Sequence, residues 1–107
     1  MANQIDGIQS WQPWHVGQVR YLRTPEIPGK SVESGIWKGT KKDVPDRSRV
    51  RYRREEFIYV IKGRVRLEVD GGGTHEIGPG DCFAFGLGDI VYWTLLCDEL
   101  EEFFVYV

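Results

Sequence analysis

The chain is 107 residues long, carries 14 basic and 16 acidic side chains, and has a formal net charge of −2. That length suits one domain and leaves no room for two, and a domain of this size buries roughly two-thirds of its unfolded surface. The faintly acidic balance argues against a general nucleic-acid or anionic-membrane partner, and no apolar run approaches a bilayer span.

Thirteen glycines and five prolines punctuate short segments rich in Val, Ile, Phe, Tyr and Trp, and no stretch has a helical apolar period. The chain therefore reads as all-β. Residues 1–18 read as irregular, with Trp11, Pro13, Trp14 and Gly17, and with no charged-then-apolar leader; a cytoplasmic protein is expected. QVRYLR (18–23) is the first predicted strand, closed by Pro25 and Pro28-Gly29. SGIWKG (34–39) is the second, followed by the charged loop TKKDVPDRS (40–48). RVRYRR (49–54) alternates, with Val50 and Tyr52 on one side and Arg49, Arg51 and Arg53 on the other.

EFIYVIKG (56–63) is apolar on both parities: Glu56, Ile58 and Val60 point one way, Phe57, Tyr59 and Ile61 the other. RVRLEVD (64–70) places Val65, Leu67 and Val69 inward. DGGG (70–73) is a hairpin turn whose glycines supply positive φ angles. THEIGPGD (74–81), CFAFG (82–86), IVYWTLL (90–96) and EFFVYV (102–107) complete eight or nine strands, the pattern of a sandwich or barrel.

Cys82 and Cys97 have no ligand-like spacing and read as reduced, partly buried thiols. His15 and His75 lack a second ligand at metal-binding spacing and read as ordinary imidazoles. Arg47, Arg49, Arg51, Arg53 and Arg54, with Arg64 and Arg66, form an outward basic stripe. A solvated face with cross-strand partners such as Glu68 explains it, and an anion- or RNA-binding stripe is the sharper alternative.

The run EFIYVIKGRVRLEVDGGGTHEIGPGDCFAFGLG orders a Glu, six residues, a Gly, a strand, a Gly-rich hairpin and Gly-Pro-Gly-Asp. It resembles the two sequence blocks of the cupin superfamily, small double-stranded β-helix, or jelly-roll, barrels. SGIWKG upstream and Trp93 downstream make it similar to the short single-domain cupin type 3 branch, often likened to ureidoglycine aminohydrolase. The resemblance covers roughly residues 34–107. It implies a barrel domain over 34–107, with residues 1–33 as an N-terminal segment and first strand packing on it.

Metal-binding cupins carry His-x-His and then Glu in the first block and a further His in the second. Aligned on Glu56 and Gly63, the first two His positions hold Val50 and Tyr52, or Arg49 and Arg51 with the longer spacing, and the third holds Val91. A lone Glu56 cannot supply the three or four converging donors that a transition metal needs. No metal and no cofactor is therefore expected. Where the branch often has a Lys near its final strand, this chain has Glu101-Glu102, which weakens any transfer of activity.

A buried carboxylate must be paired, hydrogen-bonded or protonated. Glu56 is thus either a relic near the barrel mouth, bonded to Tyr52 and water, or a ligand contact with a raised pKa. The expected role is binding a small polar metabolite in the mouth, with Tyr52 and Glu56 as polar contacts, Trp93 for stacking and Trp37 as an outside candidate. An enzyme of the ureidoglycine aminohydrolase kind is the runner-up, and an interaction module using the arginines is third. The stripe of Phe57, Tyr59 and Ile61 needs a cover. A homodimer is expected there, with Trp11 and Trp14 of the N-terminal segment contributing.

Overall fold

A computed structural model describes residues 10–24 and 32–107. Its described strands, in chain order, are β1 (Gln12–Pro13), β2 (Gln18–Arg23), β3 (Glu33–Thr40), β4 (Ser48–Arg51) and β5 (Glu56–Lys62). After these come β6 (Val65–Val69), β7 (Gly73–Ile77), β8 (Cys82–Phe85), β9 (Ile90–Leu95) and β10 (Glu99–Tyr106). There is no helix among the described residues. A six-stranded sheet of order β1-β2-β3-β10-β5-β8 faces a four-stranded sheet of order β4-β9-β6-β7, and every pairing is antiparallel. This is the expected all-β jelly roll. The expected Pro25 and Pro28-Gly29 closure lies outside the described residues.

The alternation read from the sequence sets the core. In β5, Glu56, Ile58 and Val60 are buried while Phe57, Tyr59 and Ile61 are exposed. In β6, Val65 and Leu67 are fully buried, packing between the sheets with Val91, Phe85 and Leu100. At the 70–73 turn, Gly71 and Gly73 take the expected positive φ, and Gly72 N–H donates to the Val69 carbonyl at 2.8 Å.

Three features depart from expectation. Pairing of Gln12 and Pro13 with β2 carries the six-stranded sheet into the segment read as irregular. The fourth strand stops at Arg51, because Tyr52 N–H donates to the Asp89 carbonyl while its own carbonyl takes Gly88 N–H, and the chain bends. That bend removes Arg54 from the basic stripe: it lies over the Tyr106 ring and is bonded to Glu33 at 3.1 Å. The last strand begins at Glu99 rather than 102, since all eight of its residues find partners on β3.

The two outer faces differ in character. On the four-stranded sheet, Arg47 pairs with Glu68 at 3.0 Å and Arg66 with Glu76 at 3.1 Å, and Arg47 also lies over Tyr92. This is the ion-paired face anticipated for part of the stripe. On the six-stranded sheet, Phe57, Tyr59 and Ile61 remain 47%, 45% and 40% exposed. Trp11 and Trp14 do not cover them, contrary to expectation. Trp11 sits under the Lys38 ammonium, 4.0 Å from the ring centre, on β2 and β3, and Trp14 turns toward the interior.

Candidate functional site

A cavity of about 200 Å³ opens between the sheets. The six-stranded sheet supplies Trp37, Glu56, Glu102, Phe104 and Tyr106 to it. The four-stranded sheet supplies Ser48, Val50, Trp93 and Leu95, and Tyr52 enters from the bend after β4. Trp14, His15 and Val16 form part of its rim. All four residues expected to form a site, Tyr52, Glu56, Trp93 and Trp37, thus line one space.

Register explains the gathering. Glu56 opens β5 and stands opposite Tyr106 of β10, on the same inward parity as Ile58 and Val60. Trp93 is paired in β9 with Ser48 and Leu67. Trp37 is the direct neighbour of Glu102 across β3 and β10. Its ring lies against Gly39, where an added Cβ would fall 2.6 Å from the indole, so only glycine leaves it room. The Trp37 Nε1–H donates to the Val16 carbonyl at 2.7 Å, fastening the Trp14–Gly17 turn at the rim. Trp37 therefore offers a ligand only its ring.

The polar groups form a short relay. Trp93 Nε1–H donates to the Tyr52 hydroxyl at 3.2 Å, and the Tyr52 and Tyr106 hydroxyls both donate to Glu56. The Tyr52 ring stacks on Phe85 at 4.4 Å, which fixes where its hydroxyl points. Burial pushes the Glu56 carboxyl up to about 7, against the pull of the Tyr106 and Tyr52 hydrogen bonds. Burial, followed by the charge of Glu56, raises both phenols, so both remain donors. The two-tyrosine arrangement is richer than the expected bond to Tyr52 and water.

Sequence reasoning missed Glu102 as a site residue. It is 5% exposed, its Oε2 has no hydrogen-bond partner, and burial and then the Glu56 charge hold its carboxyl well above the usual range. The signal was present: Glu102 shares parity with Leu100 and Phe104, an apolar row interrupted by a carboxylate, as at Glu56. Tyr106 carries the same parity.

The donors present do not suit the transition-metal site of metal-binding cupins. Val50 and Val91 are cross-strand partners, and the Tyr52 hydroxyl is held as a donor toward Glu56. The alternative positions, Arg49 and Arg51, are exposed. Among the described residues, no three His, Cys, Asp or Glu side chains converge as a metal site would. His15 stacks on Trp14 at 3.8 Å, and His75 touches Phe83 at a hairpin end. Cys82 and Cys97 are free thiols; Cys82 is exposed rather than partly buried as expected, and Cys97 is bonded to the Arg64 and Glu99 carbonyls.

Residues 28–97 match the EutQ-like cupin domain family. Among solved structures, the chain is similar to the EutQ protein of Clostridium difficile, at 17% identity and a TM-score of 0.65 over 82% of this chain. This chain spans 64% of the length of that protein. It is also similar to ectoine synthase from P. lautus, at 17% identity and a TM-score of 0.73, covering 99% of this chain and 76% of that one. A third is the cupin domain of Schizosaccharomyces pombe Cnp3, at 10% identity and a TM-score of 0.71, covering 92% and 67%. No curated protein matches by sequence. At these identities the structural likenesses speak to fold alone.

Proposed function

The chain belongs to the EutQ-like cupin domain family, and from that premise we propose that it binds a small polar metabolite in the cavity between its sheets. The observation that carries this reading is the convergence of Glu56, Tyr52, Tyr106 and Glu102 on one largely aromatic cavity. Such a concave apolar space with a few convergent polar groups is the usual form of a ligand site. At about 200 Å³ it suits a metabolite smaller than a typical drug. Tyr52 and Glu56 provide the polar contacts, Trp93 a stacking face, and Trp37 a wall. One observation favours a catalytic version: a Glu56 carboxyl near 7 exchanges protons readily at neutral pH. A reaction of the ureidoglycine aminohydrolase kind remains the enzymatic alternative.

The test is a metabolite library screened by tryptophan fluorescence. For any hit, Glu56→Gln should weaken binding by about 1–3 kcal/mol, the scale of a lost charged hydrogen bond. Trp93→Phe should remove most of the fluorescence change. Hits indifferent to both substitutions would move the site elsewhere.

We also propose a cytoplasmic homodimer. The outer face of the six-stranded sheet brings Phe57, Tyr59 and Ile61 beside Phe103 and Val105, whereas the opposite sheet's outer face is ion-paired. Lys62, Glu99, Glu101 and Lys38 put both charge signs at one end of this apolar face. A two-fold axis can match them to their opposites on a second copy.

A further inference from the structure

We infer that the ligand is a small organic cation, a protonated amine whose N–H groups meet Glu102 while its hydrocarbon body lies against the surrounding rings. The inference rests on the cavity being a binding site and names the chemical class it accepts.

Glu102 carries the argument. It is buried on β10, it lines the cavity, and its Oε2 lacks a hydrogen-bond partner. Buried polar atoms in native proteins are nearly always satisfied, so an unpaired one on a side chain that lines a cavity calls for a donor from whatever fills that cavity. The neighbouring walls select the donor's charge. Trp37 stands directly across from Glu102, and Trp93, Phe104 and Tyr106 line the same space. A cation near such ring faces is attracted by their quadrupoles, more strongly where water is excluded.

The charges on the cavity wall point the same way. Glu56 and Glu102 both line it, and among the described residues no Lys or Arg does. Arg54, packed over Tyr106, is matched by Glu33. His15 lies at the exposed rim. An anionic ligand would meet two acids and the negative faces of the rings. A quaternary ammonium would satisfy the rings but bring no N–H to Oε2. A primary or secondary ammonium satisfies both, and its charge favours the ionised form of Glu102 against the burial that raises this carboxyl in the empty cavity. Glu56, already bonded to Tyr52 and Tyr106, is left to orient the other end of the ligand.

The experiment compares four probes of one chain length, n-butylammonium, n-butyltrimethylammonium, butan-1-ol and butyrate, by calorimetry and tryptophan fluorescence. Butylammonium should bind about tenfold more tightly than the alcohol or the trimethyl cation, the ratio expected from one charge-assisted hydrogen bond. Glu102→Gln should erase that advantage while leaving butan-1-ol binding unchanged. The same substitution should raise the melting temperature, a combination that a purely structural acid would not produce. Glu68→Gln, on the outer face, should alter neither binding nor selectivity. Alcohol or butyrate binding as tightly as the amine would overturn the cation while leaving the cavity as a site. Failure of all four probes to perturb the cavity tryptophans, or amine selectivity surviving in Glu102→Gln, would overturn the inference too.

Discussion

Replacing Glu56 with Gln removes a titrating group from the core while keeping an oxygen that accepts from Tyr52 and Tyr106. Glu56 is 5% exposed, and its carboxyl is raised from 4.5 to about 7, chiefly by burial. That displacement corresponds to about 3 kcal/mol. The folded value lies above the unfolded one, so the folded chain holds the proton more tightly. The stabilisation from neutral Glu56 is full below 4.5 and is lost as pH rises through about 7. The Gln variant has no such loss, although its amide N–H groups bring a pH-independent offset. Urea unfolding of both proteins across this range, with equal slopes, gives the difference directly. The variant should gain on the wild type by about 3 kcal/mol between the acid and alkaline limits, each kcal/mol moving the melting temperature by about 4–8 °C. Because the Glu56 charge also raises Glu102, both proteins are compared in a Glu102→Gln background, which leaves Glu56 as the titrating difference. A stability difference that stays flat with pH would refute the assignment of a neutral buried acid.

Two further outcomes are expected. In sedimentation at micromolar protein the wild type should run as a dimer, and Tyr59→Glu should weaken it; a monomeric wild type, or a variant dimer of unchanged affinity, rules out that face as the interface. Elemental analysis should find less than one Zn, Fe, Mn, Ni or Cu per chain, because Val50, Tyr52 and Val91 stand at the imidazole positions; one tightly held metal per chain, lost on Glu56→Ala, would contradict this.

Much of the barrel was legible because it depends on period-two alternation and glycine turns. The inward row of Glu56, Ile58 and Val60 and the 70–73 hairpin were readable from residue types alone. The site was half legible. Tyr52, Glu56, Trp93 and Trp37, singled out through the motif positions, do line the cavity, but Glu102 was seen only as a departure from a relative's lysine. Its strand begins earlier than the apolar run suggests, since pairing with β3, not side-chain type, extends β10 back to Glu99. The positions of Trp11 and Trp14 could not be read from the sequence. One is captured by Lys38 on the outer face and the other by the cavity, choices set by tertiary contacts. The same holds for Arg54, whose bend follows from Tyr52 pairing with Gly88 and Asp89.

The central claim, that the cavity is a ligand site, is tested most directly by the indole N–H signals in a proton–nitrogen correlation spectrum. The chain has four tryptophans. Trp93, Trp37 and Trp14 line the cavity, while Trp11 lies outside under Lys38. A metabolite bound as proposed should shift the Trp93 signal, whose N–H bonds Tyr52, together with Trp37 or Trp14, and leave Trp11 in place. Saturable binding that moves Trp11 alone, or none of the four, would contradict the account.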